Sequence, residues 1–176
     1  MRITEDRVYF WAGLLSNWCR VKDGIELPPD PITGEVFRVP TSEHVFMYLK
    51  ARFFGDFEVA SKILMTSGPK EAKKLGRSVK GFDEKAWEEH REIAMWTALT
   101  LRYQADKVFR DFLKREDFKG KSFVEANPYD MIWSCGYLED DPRIDLPEDT
   151  WPGLNLLGKL LDRLRKVTIR KEYGKS

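Results

Sequence analysis

Glu43 and Lys50 are the pair whose types and spacing most invite chemistry. They place a carboxylate and an amine seven residues apart in Thr41-Ser42-Glu43-His44-Val45-Phe46-Met47-Tyr48-Leu49-Lys50-Ala51-Arg52-Phe53-Phe54. On a helix turning about 100° per residue, the two side chains fall within roughly 20° of one direction and about 10 Å apart along the axis, with Met47 between them. The remaining residues are mostly Val, Phe, Met, Tyr, Leu and Ala, so the pattern sets a polar site into a core, where acidities are readily perturbed. A plainer reading uses the same residues. Behind a Ser42 N-cap, Glu43 would complement the helix dipole in the first turn while Lys50 reached along its stem to water.

Polar residues embedded among apolar or aromatic ones recur at Ser16-Asn17-Trp18, at Leu75-Gly76-Arg77, near Trp87, at Glu125 with Asp130 and Trp133, and at Asn155 with Gly158. A buried Asn or Glu is costly unless paired, so each asks for a partner, either another residue or a ligand. Structural roles are open to all of them. Trp18, Trp87 and Trp133 are suited to a core as well as to stacking, and Gly158 to close helix packing as well as to ligand approach. Arg77 could cap a helix end, and Asn17 could hold a turn.

The elements that must position these residues follow from periodicity and punctuation. Val8-Tyr9-Phe10-Trp11 and Glu35-Val36-Phe37-Arg38-Val39 read as short strands, separated by a Pro- and Gly-bearing exposed loop from Asp23 to Gly34. Helices are predicted from about Ser42 to Phe54, from Phe57 to Thr66, and from Pro69 to Leu75, the last with Gly76 just past its end. From an Asp83 N-cap, Trp87, Ala94, Ala98, Leu101, Ala105, Val108 and Phe112 recur at helical steps, predicting a long central helix broken near Gln104. Ser122-Phe123-Val124-Glu125-Ala126 reads as a third strand. A final amphipathic helix after Trp151-Pro152-Gly153 turns Leu156, Leu157, Leu160, Leu161, Leu164 and Val167 inward. These elements predict one α+β domain over residues 1–176, predominantly helical, with a few short strands.

Composition limits the function. A chain of 176 residues with 42% hydrophobic content supports one full core. Its 30 basic and 29 acidic residues nearly cancel, so no global field draws it to nucleic acid or an anionic membrane. Charge is instead local: six acids and one arginine between Glu139 and Asp149, then seven bases and two acids between Lys159 and Lys175. Such runs are ordinarily solvated surface; the basic one would also suit a nucleic-acid substrate. Two cysteines, Cys19 and Cys135, and two histidines, His44 and His90, make no zinc motif, and reduced thiols are expected. The amino terminus lacks the apolar run of a signal peptide and no stretch has the length of a membrane span, predicting a soluble, cytoplasmic protein without a membrane partner. The common dinucleotide, NTPase and serine-hydrolase fingerprints are absent.

Five motifs taken together carry a resemblance. Leu15-Ser16-Asn17-Trp18, Pro40-Thr41-Ser42-Glu43-His44 with Lys50-Ala51, Leu75-Gly76-Arg77 followed by Trp87, Val124-Glu125-Ala126 with Asp130 and Trp133, and Asn155-Leu156-Leu157-Gly158 with Arg165 come in the order of the NADAR, or YbiA-like, family. The match covers about residues 8–167. The resemblance implies an N-glycosidase, a hydrolase cleaving the bond between a ribose anomeric carbon and nitrogen, in riboflavin-pathway intermediates or in ADP-ribosyl adducts on guanine. Such a bond needs a proton for the departing nitrogen and a nucleophile at the anomeric carbon. Glu43 then becomes the acid/base. Lys50 would attack the sugar if desolvated and partly neutral, or orient substrate if charged. Asp130 and Glu125 are candidates to bind ribose hydroxyls or position water, Trp87 or Trp133 to stack on a base, and Arg77 and the helix start at Asn155 to contact phosphate. Ser16, Asn17, Trp18 and Gly158 complete the implied substrate site. The scheme requires neither a cofactor nor a metal, and the rival it leaves is a non-catalytic module that binds ADP-ribose or NAD. The chain departs from the family at Trp133-Ser134-Cys135-Gly136, where Trp-Gly-Ile-Gly is common, and at Arg102-Tyr103, where Lys-Phe is. The long segment from Trp18 to Val36, and Asp162 at a usually apolar position, are further departures.

Overall fold

Val8, Tyr9 and Phe10 are buried to within 1% of completely, as expected of a strand enclosed on both faces. The computed structural model describes residues 1–31 and 33–173. Along the chain run β1 (Arg2–Ile3), β2 (Arg7–Phe10), β3 (Ile25–Glu26), β4 (Arg38–Val39), α1 (Ser42–Phe53), α2 (Phe57–Met65), α3 (Pro69–Arg77), α4 (Glu84–Ala105), α5 (Lys107–Leu113), β5 (Ser122–Glu125) and α6 (Leu156–Tyr173). The fold is α+β and predominantly helical, as the periodicity predicts. Its backbone gathers into two compact units, one of Met1–Ser16 with Val108–Ser176 and one of Asn17–Lys107.

In the first unit, β2 is the middle strand of three. β1 pairs with it antiparallel, Arg2 opposite Tyr9, and β5 pairs with it parallel, Val8 opposite Phe123 and Phe10 opposite Glu125. A parallel pair needs a crossover, and here the entire second unit lies in sequence between the two strands. Helix α6 packs along β5 with Leu157, Leu160, Leu161 and Leu164 buried. Against the strands lie Cys135, Ile144 and Trp151. Phe118 meets Phe123 edge to face at 5.6 Å. Of the basic run that begins at Lys159, Lys175 lies outside the described residues.

In the second unit, α1 is the helix on which α2, α3 and α4 all pack. Its cap is Thr41 rather than Ser42: Thr41 Oγ1 accepts the His44 N–H at 3.4 Å and lies 2.7 Å from His44 Nδ1. Asp56 and Asp83 cap α2 and α4, accepting from Val59 and Ala86. Three expectations need correction. The segment predicted as a loop is a hairpin, because β3 and β4 pair antiparallel and the ladder continues through Leu27 N–H to Phe37 O and Asp30 N–H to Glu35 O. Gly76 lies inside α3, where its missing side chain makes room for Met47. The central helix breaks at Asp106, and its buried face runs through Met95, Leu99 and Arg102, leaving Ala105 and Val108 exposed. Among the described residues no helix is long and apolar enough to cross a membrane.

Candidate functional site

Helix α1 brings Glu43 and Lys50 to one face, as their spacing requires, and gives them different surroundings. Glu43 is only 5% exposed, and its N–H donates to Asn17 O at 3.1 Å, tying the Ser16-Asn17-Trp18 turn to the start of the helix. Asn17 is also buried, with Nδ2 3.1 Å from Met95 Sδ. Its Oδ1, and Oγ of the fully buried Ser42, have no hydrogen-bond partner within the described residues. Buried acceptors and hydroxyls are seldom left so, and both flank Glu43, where a polar ligand would satisfy them. Ser42 was legible in the sequence only as a helix cap.

Lys50 is half-buried, with Nζ 4.2 Å from the centre of the Phe82 ring and 5.7 Å from that of Trp87. Ring faces favour the ammonium form. Burial opposes it and prevails, and the Arg77 charge adds to burial, so the amine's pKa lies below that of an ordinary lysine. Arg77 is the last residue of α3 and is exposed. Between the two α1 residues, Met47 fills the space left by Gly76. Trp87 is 8% exposed and packed against Phe46 at 5.4 Å and against Phe53 and Phe54 at 6.1 Å, which makes it a wall behind Lys50 rather than an open platform for a base. Trp18, at 44% exposure, is the open aromatic of this unit's site residues. Phe82 had no sequence signal beyond its position after Gly81, since a ring under a lysine is a tertiary fact.

In the other unit, Glu125, Asp130, Trp133 and Asn155 belong to one knot of hydrogen bonds to the backbone. Glu125 ends β5; its N–H donates to Asn155 Oδ1 at 3.0 Å and its carbonyl accepts the Cys135 N–H at 3.0 Å. Asp130 Oδ1 accepts from the amides of Ile132 and Trp133 at 3.0 and 2.9 Å, bracing the loop that carries the half-buried Trp133. Asn155, 1% exposed at φ 49°, sits in the left-handed region that asparagine tolerates, and its Nδ2 donates to Phe123 O at 3.0 Å. Ser16 closes a short turn, its N–H donating to Gly13 O.

Two expectations change here. The first amides of α6, predicted to be free for phosphate, are taken: Asn155, Leu156 and Leu157 N–H donate to the carbonyls of Ser134, Ile132 and Trp133. Gly158 serves packing, since a Cβ there would run into Phe123 O and the Asn155 side chain. Ser134, unremarked except as a departure from the family pattern, is fully buried at the centre of the knot. Its Oγ accepts the Asn127 N–H at 2.8 Å and lies 2.7 Å from Glu125 O and 2.6 Å from Asn127 O. Asp162, the other departure, accepts the Phe123 N–H with both oxygens at 3.3 Å and pairs with Arg165 at 3.0 Å. Burial pushes its pKa up to about 6. Arg102 is fully buried, 3.7 Å from Asp106, and burial lowers its pKa. Cys19 and Cys135 are free thiols.

A fold of this kind is found among known proteins. The NADAR domain model matches residues 9–168, and the chain belongs to the NADAR family. It is 35% identical over 137 residues to N-glycosidase R617 of Acanthamoeba polyphaga mimivirus, covering 77% of this chain and 78% of that protein. It is 33% identical over 144 residues to protein irg-1 of Caenorhabditis elegans, covering 81% of this chain and 66% of the other. The solution structure of the E. coli protein YbiA shares the fold, with a TM-score of 0.68 at 24% identity, covering 98% of this chain and 90% of that one.

Proposed function

We propose that this protein is an N-glycosidase, a hydrolase that cleaves the bond between ribose C1′ and nitrogen in a phosphorylated ribosyl or ADP-ribosyl compound, working as a single NADAR domain with its core at about residues 8–167. The observation that carries the reading is the half-buried Lys50 amine, its pKa lowered, on the same helix as the buried Glu43. Membership of the family and likeness to a relative named an N-glycosidase support it. In the proposed sequence, neutral Lys50 Nζ bonds to C1′ and the departing nitrogen takes the proton held by Glu43. The C1′–O4′ bond then breaks, O4′ taking one proton from Nζ, and the sugar is left open as a protonated imine. Water then adds to C1′, one of its protons passing to Glu43; the other reaches Nζ as the C1′–Nζ bond breaks, which releases the phosphorylated sugar and restores the neutral amine. A desolvated amine is what the first step needs, since an ammonium group has no lone pair to give. Arg77, exposed at the end of α3, is assigned to the substrate phosphate.

The rival, a module that binds ADP-ribose or NAD without reaction, would want Trp87 as an open stacking surface, and its packing against three phenylalanines weighs against that. The test is release of free base or amine from two substrates in parallel, an ADP-ribosylated guanine oligonucleotide and a ribosylaminopyrimidine phosphate. Release from one of them, lost in Glu43→Ala with an unchanged melting temperature, is expected and identifies the substrate branch. Tight ADP-ribose binding with no release from either would favour the binding module, and full activity in a normally folded Glu43→Ala would remove Glu43 from the mechanism.

A further inference from the structure

A cavity of about 460 Å³ opens in the unit built on β1, β2 and β5, between the turn that follows α5 and the middle of α6. That size suits a small ligand. Its lining includes six basic side chains, Lys114, Arg115, Lys119, Lys121, Arg165 and Lys166, against two acidic ones, Glu116 and Asp162. The inner wall is built before any ligand arrives. Arg165 is 8% exposed and held by the carbonyls of Phe118 and Lys121 and by Asp162, with its guanidinium 4.5 Å above the Phe123 ring. Lys121 Nζ is fixed by the carbonyls of Thr4 and Glu5 at 2.6 and 2.7 Å, neither of which neutralises its charge.

The two arginines already have carboxylate partners, Arg115 in Asp117 and Arg165 in Asp162. Lys119 and Lys166 are exposed at the mouth and make no ion pair among the described residues. The positive excess is therefore carried by ammonium groups, which bind phosphate as point charges, around a wall that includes the apolar Leu113 and Ile169. None of the residues assigned above to sugar chemistry lines the cavity.

We propose that this cavity is a binding site for a small phosphate-bearing anion, a site the N-glycosidase reading does not require. The full-length protein is titrated calorimetrically at low salt with inorganic pyrophosphate and, separately, with ADP. Wild type is compared with Lys119→Glu/Lys166→Glu, with Lys22→Glu/Lys85→Glu, which makes the same charge change at exposed lysines elsewhere, and with Glu43→Ala. Binding of pyrophosphate is expected, weakened by at least about tenfold in the Lys119/Lys166 variant and retained in the other two. ADP binding more tightly than pyrophosphate would assign the apolar wall to the nucleoside, and equal binding would assign the site to phosphate alone. No binding of either probe, or equal weakening in both lysine variants, would overturn the proposal, the latter by showing only a diffuse attraction. Because Lys119 and Lys166 are exposed, unchanged melting temperatures are expected to exclude misfolding as the cause.

Discussion

Asp162 shows how a single side chain can be stabilising in its contacts and destabilising in its charge. Its carboxylate holds the Phe123 amide of β5 and pairs with Arg165, yet burial outweighs these and raises its pKa from 3.8 to about 6. Burial also lowers the pKa of Arg165, so neither partner is fully compensated. A carboxyl whose pKa is higher folded than unfolded keeps its proton longer in the folded state, so its contribution to stability is greatest below pH 4 and is lost as pH rises to about 6. The loss amounts to about 3 kcal/mol. Urea unfolding of wild type and Asp162→Asn at pH 5 and pH 7 should show the variant gaining on wild type as pH rises; a pH-independent difference would mean that Asp162 stays ionised throughout. The sequence marked Asp162 only as polar where an apolar residue is usual. Arg165 lies three residues on along α6, within reach of helical spacing, but the Phe123 amide belongs to β5, which helical spacing cannot reveal. Glu43 and Lys50 were legible because their relation is set within one helix.

Among the elements, α6 and α3 make their close approaches at glycines. Helix α6 reaches β5 because position 158 has no Cβ, and α3 reaches Met47 on α1 because position 76 has none. In Gly158→Ala the new methyl meets a carbonyl of β5, which is backbone and slow to yield, so a loss of about 1 to 3 kcal/mol in urea unfolding is expected. In Gly76→Ala the obstacle is the flexible Met47 side chain, so a smaller loss is expected. Equal losses would mean that α6 can shift away from β5. Helix starts were mostly legible, through Asp83 and Pro69, because caps and first-turn prolines act locally. The hairpin of β3 and β4 was not: Gly24, Pro28, Pro29 and Gly34 punctuate it as they would a loop, and only the cross-strand pairing, Ile25 with Val39 and Glu26 with Arg38, distinguishes the two.

For the whole molecule, the parallel pairing of β2 with β5 is the least legible feature, since Val8 and Phe123 become neighbours across more than half the chain with no local signal. Near-neutral composition was informative in another way: with no global field, the phosphate recognition proposed at Arg77 and at the lysine-lined cavity would rest on local charge. The fold recurs in a solved structure at 24% identity, which fits a core specified by apolar pattern more than by particular residues. The proposed mechanism turns on a covalent bond between Lys50, its pKa lowered by burial, and the sugar. The most direct measurement is intact-mass and peptide mass spectrometry after borohydride is added during turnover of whichever N-glycoside the protein cleaves. A reduced sugar adduct on Lys50, absent in Lys50→Met together with turnover, is the predicted result. Base release with no adduct, and turnover that survives in Lys50→Met, would contradict it.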